Sequence, residues 1–161
     1  LFFLRDFIMT DNEGRPRIKA TTSWLVMNLD TRRLVRDPNL LDADGVCPEN
    51  VIETPADKVQ MPKDAEPELV MTHKVSYSDV DMNGHANNAM YMHWAMNAVG
   101  YEVTSERPVS ALTINFNHEI KPQEDVDLYR VCVEQEDGLH VFIDGRVGEQ
   151  SAFIAEIVFK A

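Results

Sequence analysis

The sequence predicts an α+β fold in which a curved antiparallel sheet wraps around one buried helix. A strand-like run, LVMTHKVSY, precedes an apolar helical segment, and four more strand-like runs follow that segment. An Asp-Gly pair, a strong hairpin signal, lies between two of these later strands. With 161 residues, 44% of them hydrophobic, the chain is long enough for one sizeable core.

The first 28 residues predict a β-hairpin. The runs FFLRDFIMT and IKATTSWLVMN are strand-like, and the turn residues of DNEGRP join them. An isolated two-stranded hairpin is marginally stable in water, so we expect another part of the protein, or another chain, to cover its apolar face. Four of the eight prolines then fall between residues 47 and 67, where they alternate with acidic residues and predict a linker.

The segment AMYMHWAMNAV predicts a buried helix. Asn87 or Asn88 is suited to cap its N-terminus, and Gly100 is suited to end it. The apolar positions recur at spacings of three and four, and two further residues widen this face. The recurring positions are Ala89, Met92, Met96 and Val99, and the widening residues are His93 and Trp94.

Four strands complete the predicted sheet as an antiparallel meander. Asp137 and Gly138 separate the second from the third, and VGEQS supplies the last turn. In chain order the predicted strands are VSALTINFNHEI, VDLYRVCVEQ, LHVFIDGRV and SAFIAEIVFK.

The charge distribution limits the partners of the protein. A net charge of -12 argues against nucleic acid, and no apolar run reaches the roughly 18 residues of a membrane span. The first 36 residues nevertheless carry a net charge of +3, which indicates either a solvated strand face or a docking face for an acidic partner. The two cysteines lack a CxxC spacing, so we expect inert thiols in a reducing compartment.

The loop SYSDVDMNGHANNAMY concentrates polar side chains between the strand and the helix. DVDMNG matches the first half of a calcium-binding loop, but Met90 stands where a bidentate glutamate is required. The five histidines show no zinc-ligand spacing, so we expect no metal site.

Asp81, Asn83 and His85 offer a different chemistry in this loop. The positive end of the helix faces them, and carboxylate, imidazole and backbone N–H groups together suit acyl transfer to water through an oxyanion. The alternative is that the aspartates and asparagines only cap a turn and a helix.

SDVDMNGHANNAMY resembles the central motif of acyl-acyl carrier protein (acyl-ACP) thioesterases, and RDFIMTDNEGRPRIKATTSWLVMNLDTRRLVRDP resembles the end of the first hotdog unit in that family. The resemblance implies two hotdog units in tandem, each a helix wrapped by an antiparallel sheet. Residues 1–46 would hold the last strands of an incomplete first unit, 47–67 the linker, and 68–161 the complete second, catalytic unit. We expect the rest of the first unit to precede Leu1.

The resemblance also implies the site residues. The catalytic positions of the family fall on Asp81, Asn83, His85 and, in the strand after the helix, Glu119. The next position, a cysteine in many plant members, is Ile120, so the resemblance favours a carboxylate and imidazole over a thiol nucleophile. Glu119 and His85 would activate water, Asn83 would bind the carbonyl or the water, and Asp81 would fix the loop. Backbone N–H groups of Asn87 and Asn88 would complete the oxyanion site, and a nucleophilic carboxylate forming an anhydride remains the rival mechanism.

The expected partner is acyl carrier protein, whose acidity requires a basic landing surface. We expect that surface to comprise Arg15, Arg17, Lys19, Arg32, Arg33 and Arg36. No cofactor is expected, and a homodimer is one possible assembly. Alternatives are an acyl-coenzyme A thioesterase of the same fold and a non-catalytic acyl-binding module. The expected compartment is the cytoplasm, or the plastid stroma for a plant protein.

Overall fold

The computed structural model describes residues 2–31, 33–37, 49–53 and 57–161, and the chain forms two compact units, Leu1–Asp57 and Lys58–Ala161. The predicted residue Arg32 and, within the proline-rich segment, residues 47–48 and 54–56 lie outside the described residues. In chain order the elements are β1 (Phe3–Thr10), β2 (Pro16–Trp24), β3 (Glu68–Lys74), α1 (Asn88–Val99), α2 (Tyr101–Glu106), β4 (Val109–Phe116), β5 (Asp125–Gln135), β6 (Gly138–Val147) and β7 (Gln150–Lys160).

The first unit contains the predicted hairpin of β1 and β2. The strands pair antiparallel with Phe3 opposite Trp24, and β2 ends at Trp24, four residues before the predicted end. The turn is fixed by Asp11, whose Oδ1 accepts hydrogen bonds from the backbone amides of Glu13 and Arg15. Several apolar side chains on both strands remain exposed, among them Phe7, Ile8, Met9 and Ile18.

The second unit contains a five-stranded antiparallel sheet in the order β3-β5-β6-β7-β4. Strands β5, β6 and β7 form a meander, as predicted. The prediction was wrong for β4, which pairs with β7 and not with β5, because an eight-residue loop follows β4 where a tight hairpin turn would be needed. The two strands that flank the helices in sequence are therefore the two edges of the sheet.

Helix α1 packs against this sheet with a face that matches the predicted one only in part. Val99 of the expected stripe and the widening residue Trp94 are buried, as predicted. The rest of the expected face is exposed or only half-buried, namely Ala89, Met92, Met96 and His93. Two aromatic residues fill the space beneath the sheet, while two alanines allow close approach of the helix backbone. The buried residues of α1 are Tyr91, Trp94, Ala95, Ala98 and Val99.

The ends of α1 follow the sequence signals. Asn87 is the N-cap, and its side chain accepts a hydrogen bond of 2.9 Å from the backbone amide of Ala89. Gly100 ends the helix with φ of 99°, a conformation that other residues rarely adopt. The short helix α2, which begins at Tyr101, was not predicted.

The opposite face of the sheet has a smaller apolar cluster. Val59 packs there with Val131 and Phe142, and Met61 lies against them. Residues from Val59 onward therefore belong to the second unit, inside the span that the sequence predicted as linker. Within the described residues, no helix is both long enough and apolar enough to cross a membrane.

Candidate active site

The polar loop after β3 folds back on itself as a small hairpin. Val80 and Ala86 form an isolated antiparallel bridge. One turn of 3-10 helix, Tyr77–Asp79, leads into it, and α1 follows directly. On either side of the bridge, the Asp81 amide donates to the His85 carbonyl at 3.0 Å and the Asn87 amide donates to the Asp79 carbonyl at 2.8 Å.

The tip of this hairpin is fixed by Asp81. Its carboxylate accepts hydrogen bonds from the Asn83 backbone amide at 2.8 Å and from the Asn83 side-chain amide at 3.2 Å. The turn closes through Gly84, whose amide donates to the Asp81 carbonyl and whose φ is 81°. Asp81 therefore orients the Asn83 side chain directly.

The base of the hairpin is fixed by Asp79, which is only 2% exposed. One of its carboxylate oxygens accepts from the Ser76 amide at 2.7 Å, the Ser76 hydroxyl at 2.8 Å and the His73 Nε2 at 3.0 Å. Burial acts to raise the pKa of Asp79, but these hydrogen bonds outweigh it and hold the pKa below its ordinary value. The His73 ring lies against Trp94 of α1, with ring centroids 4.8 Å apart. Asp79 thus ties the strand end, the loop and the helix together.

Glu119 lies on the loop between β4 and β5, not in the strand itself. The prediction of a strand reaching Ile120 was wrong because β4 ends at Phe116 and the next two backbone amides donate to the same carbonyl. The amides of Asn117 and His118 donate to the Ala152 carbonyl at 2.8 and 3.0 Å. This anchor places Glu119 outside the sheet ladder and beside the polar loop.

The backbone amide and carbonyl of Ile120 connect the loop between β4 and β5 to α1 and to the polar loop. The Ala86 amide donates to the Ile120 carbonyl at 2.8 Å, and the Ile120 amide donates to the Tyr91 hydroxyl at 3.2 Å. Ala86 follows His85, and Ile120 follows Glu119. As a result, His85 Nε2 lies 4.0 Å from Glu119 Oε1, with side chains 29% and 52% exposed.

The structure therefore brings the four predicted catalytic side chains into two adjacent pairs. Asp81 and Asn83 are hydrogen-bonded, and His85 faces Glu119 across a gap too long for a direct hydrogen bond. Because both side chains are part-exposed, one water molecule can lie about 2.8 Å from each atom, to one side of the line that joins them. The arrangement can hold a water molecule that is hydrogen-bonded to both an imidazole and a carboxylate.

The two predicted oxyanion donors differ in their surroundings. The Asn87 amide already donates to the Asp79 carbonyl, so it is not available to a substrate oxygen. Asn88 is the first residue of α1, where backbone N–H groups have no intrahelical partner. Of the two predicted oxyanion donors, the backbone amide of Asn88 is therefore the one that is kept as a candidate.

The predicted basic surface lies in the first unit. Arg15 and Arg17 both form ion pairs with Asp11, at 2.8 and 3.1 Å, so part of their charge is neutralised. Lys19, Arg33 and Arg36 are exposed. Arg32 cannot be placed, since it is outside the described residues.

Sequence reasoning missed the contributions of Asp79 and Tyr91. Both lie in the polar motif, but Asp79 was considered only as a turn cap or calcium ligand. For Tyr91 the signal was its position between Met90 and Met92, an apolar setting that predicts burial of the hydroxyl and hence a required partner, whereas the sequence around Asp79 carries no such signal. In the part of the chain that the structure describes, no group of three His, Cys, Asp or Glu side chains is placed to hold a metal ion.

The chain was compared with known proteins. Residues 62–160 match the family model described as the acyl-ACP thioesterase C-terminal domain. Oleoyl-acyl carrier protein thioesterase 1, chloroplastic, from Arabidopsis thaliana is 29% identical over 76% of this chain and 37% of its own length. Oleoyl-acyl carrier protein thioesterase, chloroplastic, from Coriandrum sativum is 27% identical over 94% of this chain and 42% of its own length. The chain thus spans well under half of these curated relatives.

Two solved structures have the same fold. An acyl-ACP thioesterase from Bacteroides thetaiotaomicron VPI-5482 superposes with a TM-score of 0.80 at 23% identity, covering 99% of this chain and 63% of that one. The 12:0-ACP thioesterase from Umbellularia californica superposes with a TM-score of 0.77 at 19% identity, covering 98% and 60%. These likenesses confirm the predicted hotdog fold, and the partial coverage is consistent with the tandem arrangement. Because the family model spans more than half of the chain, the protein belongs to the acyl-ACP thioesterase family.

Proposed function

We propose that the protein hydrolyses the thioester of a fatty acyl-ACP and releases the free fatty acid. The observation that carries this proposal is the 4.0 Å gap between His85 Nε2 and Glu119 Oε1, beside the N-terminus of α1. Family membership supports the same reaction, since the matching relatives are named as thioesterases of acyl carrier protein.

In the proposed mechanism, Glu119 and His85 bind and activate a water molecule. As the water oxygen bonds to the thioester carbon, its proton passes to this pair, and the carbonyl oxygen becomes an oxyanion. The Asn83 side-chain amide and the Asn88 backbone N–H donate to that oxyanion, with the positive end of the helix dipole behind them. Collapse of the intermediate breaks the carbon–sulfur bond, and the proton held by the pair is returned to the leaving thiolate.

Asp81 acts on this reaction through Asn83. Its carboxylate holds both the backbone and the side-chain nitrogen of Asn83, so the amide is oriented before the substrate arrives. Such preorganisation avoids a reorganisation cost in the transition state. Asp81 is therefore proposed as a positioning residue and Asn83 as a catalytic one.

A transient anhydride on Glu119 is the mechanistic alternative. In that route the carboxylate attacks the thioester carbon, the thiolate leaves, and water then opens the anhydride. A single turnover in oxygen-18 water separates the two routes. Label in the enzyme carboxylate supports an anhydride opened at the Glu119 carbon, whereas label found only in the fatty acid supports attack of water at the acyl carbon.

The carrier protein is the proposed partner, and the first unit is its proposed docking surface. Acyl carrier protein is acidic, and the exposed cations Lys19, Arg33 and Arg36 lie in the basic N-terminal part of the chain. Charge reversal of Arg33 together with Arg32 should weaken turnover of acyl-ACP and spare short acyl-thioester analogues. Equal losses on both substrates would contradict docking, and equal turnover of acyl-coenzyme A would favour the alternative substrate. The proposed compartment is a bacterial cytoplasm or a plastid stroma, where this carrier protein works.

The function is tested with the variant Glu119→Gln in the full-length protein. Loss of the carboxylate should lower kcat by roughly 10²- to 10⁴-fold, the usual contribution of a general acid–base group. Glu136→Gln is the matched control, because Glu136 is exposed in the turn between β5 and β6. A wild-type protein without thioesterase activity would support the non-catalytic acyl-binding module, and an unimpaired Glu119→Gln variant would reject the mechanism.

A further inference from the structure

We propose that Tyr91 is a positioning residue that holds Glu119 at its working distance from His85. The expected effect on kcat rests on the proposed function. The hydrogen bond between Tyr91 and Ile120 can be tested by a measurement that needs no enzyme activity. Tyr91 is a buried residue of α1 whose hydroxyl is bonded to the backbone of the loop that carries Glu119.

The hydroxyl of Tyr91 binds the loop that carries Glu119. It accepts a hydrogen bond of 3.2 Å from the amide of Ile120, and both residues are buried. The carbonyl of Ile120 in turn accepts a hydrogen bond of 2.8 Å from the amide of Ala86. Ile120 is thus held at its amide by the helix and at its carbonyl by the polar loop.

This double attachment determines the spacing of the two side chains. Glu119 precedes Ile120, and His85 precedes Ala86, so the two attached backbone positions adjoin the two reacting positions. If the amide of Ile120 were released, the loop would keep its bond to Ala86 and could rotate about it. The Glu119 carboxylate would then lose its fixed distance to His85.

The tyrosine ring is itself held firmly. Its centroid lies 5.3 Å from the ring centroids of Trp94, Phe116 and Phe153, which restricts movement of the ring. A phenylalanine would make the same three aromatic contacts. What the tyrosine adds is therefore the hydroxyl, and the bond to the Glu119 loop is the use that the structure gives it.

The ionisation state of Tyr91 is consistent with this role. Burial raises the pKa of the phenol, the hydrogen bond from the Ile120 amide opposes this, and nearby carboxylates add to the rise, so the pKa lies above its ordinary value. These carboxylates are Glu119, Glu124 and Asp81. The hydroxyl therefore keeps its proton, and its oxygen serves as a neutral acceptor for the Ile120 amide.

The variant Tyr91→Phe in the full-length protein tests the inference. We expect kcat to fall by roughly ten- to a hundredfold while KM stays nearly constant, since a misplacement of about 1 Å has effects of that size. Arg130→Met is the control, because the Arg130 guanidinium donates to the Ala98 and Val99 carbonyls at the other end of α1, about 10 Å along the helix from Tyr91. This control removes part-buried hydrogen bonds of the same helix without changing a residue of either loop.

Three results would overturn the inference. They are an unchanged kcat in folded Tyr91→Phe, an equal fall of kcat in Arg130→Met, and a rise of KM that accounts for the whole loss. Amide hydrogen exchange supplies a readout that needs no substrate. The Ile120 amide should exchange slowly in the wild-type protein and at least tenfold faster in Tyr91→Phe.

The exchange measurement also separates this inference from the proposed function. An inactive wild-type protein with a protected Ile120 amide would reject the thioesterase proposal and leave the Tyr91 contact intact. An Ile120 amide that exchanges as fast as an exposed loop amide in the wild-type protein would reject the Tyr91 contact, even if Tyr91→Phe failed to fold.

Discussion

The substitution Gly145→Ala should destabilise the second unit by forcing a fully buried aromatic ring to move. A Cβ atom added at Gly145 would overlap the Phe153 ring, coming within 2.5 Å of Cδ1 and 2.6 Å of Cζ. Carbon atoms pack at about 3.5 to 4.0 Å, so the ring must shift by roughly 1 Å or more. Phe153 is 0% exposed and lies against Tyr91, so a shift of its ring disturbs the packing of the core.

The size of the effect follows from the packing around Phe153. Overfilling a well-packed core typically costs about 1 to 3 kcal/mol. Complete loss of a buried phenylalanine costs about 3 to 5 kcal/mol, which sets the upper limit. We therefore expect Gly145→Ala to lower the free energy of unfolding by about 2 kcal/mol, or the melting temperature by roughly 8 to 16 °C for a domain of this size.

The measurement is urea unfolding of a double-mutant cycle. Phe153→Leu removes ring atoms at the overlap, so it should cost less in the Gly145→Ala background than in the wild type, with a coupling energy of about 1 kcal/mol or more. Gly148→Ala is the control, because Gly148 has a φ of 59° and no atoms within 4 Å of an added Cβ. That variant should suffer only backbone strain and show no coupling to Phe153. Additive costs for Gly145→Ala and Phe153→Leu would refute the steric argument.

Two further predictions concern titratable groups. Hydrogen bonding to Glu156 raises the pKa of His140, burial opposes this, and Asp137 adds to it. The stabilisation by His140 should therefore be complete below about pH 6.5 and disappear as pH rises through the raised pKa. The difference in unfolding free energy between wild type and His140→Gln should shrink with rising pH, and a constant difference would contradict this prediction. Asp79→Asn should lower the free energy of unfolding by about 1 to 3 kcal/mol at neutral pH, because the hydrogen bonds from Ser76 and His73 lose their charged acceptor. Since the pKa of Asp79 is lowered, that cost should vanish as pH falls through it, and urea unfolding at several pH values that showed a persistent cost would reject the role of the charge.

The sequence predicted the elements of the second unit well because their signals are local. Alternation of apolar residues and short turns determines β5, β6 and β7 within one residue of their ends. Pairing of β4 with β7 could not be read in this way, since it joins segments far apart in sequence. The buried face of α1 was misassigned in part, because Met92 and Met96 repeat with the same period as the buried residues of the helix. Only the shape of the sheet decides between the two faces.

The sequence named candidate residues of the site but did not predict the hydrogen bonds among them. The motif named Asp81, Asn83 and His85, and the resemblance added Glu119. Neither revealed that the Asn87 amide is used by Asp79, since that bond depends on how the loop folds back. Hydrogen bonds across a loop are decided by backbone geometry, which composition and spacing leave open.

Position 120 illustrates how one residue can serve the core and the site separately. The side chain of Ile120 is 0% exposed and packs in the main apolar cluster, while its amide and carbonyl bind Tyr91 and Ala86. The side chain directed into the core contributes burial, roughly 2 to 3 kcal/mol for an isoleucine, and the backbone contributes the spacing of the loops. A polar side chain at this position would lose the first contribution and keep the second. The proposed chemistry of this chain therefore depends on where the backbone of residue 120 lies, and not on a reactive group at that position.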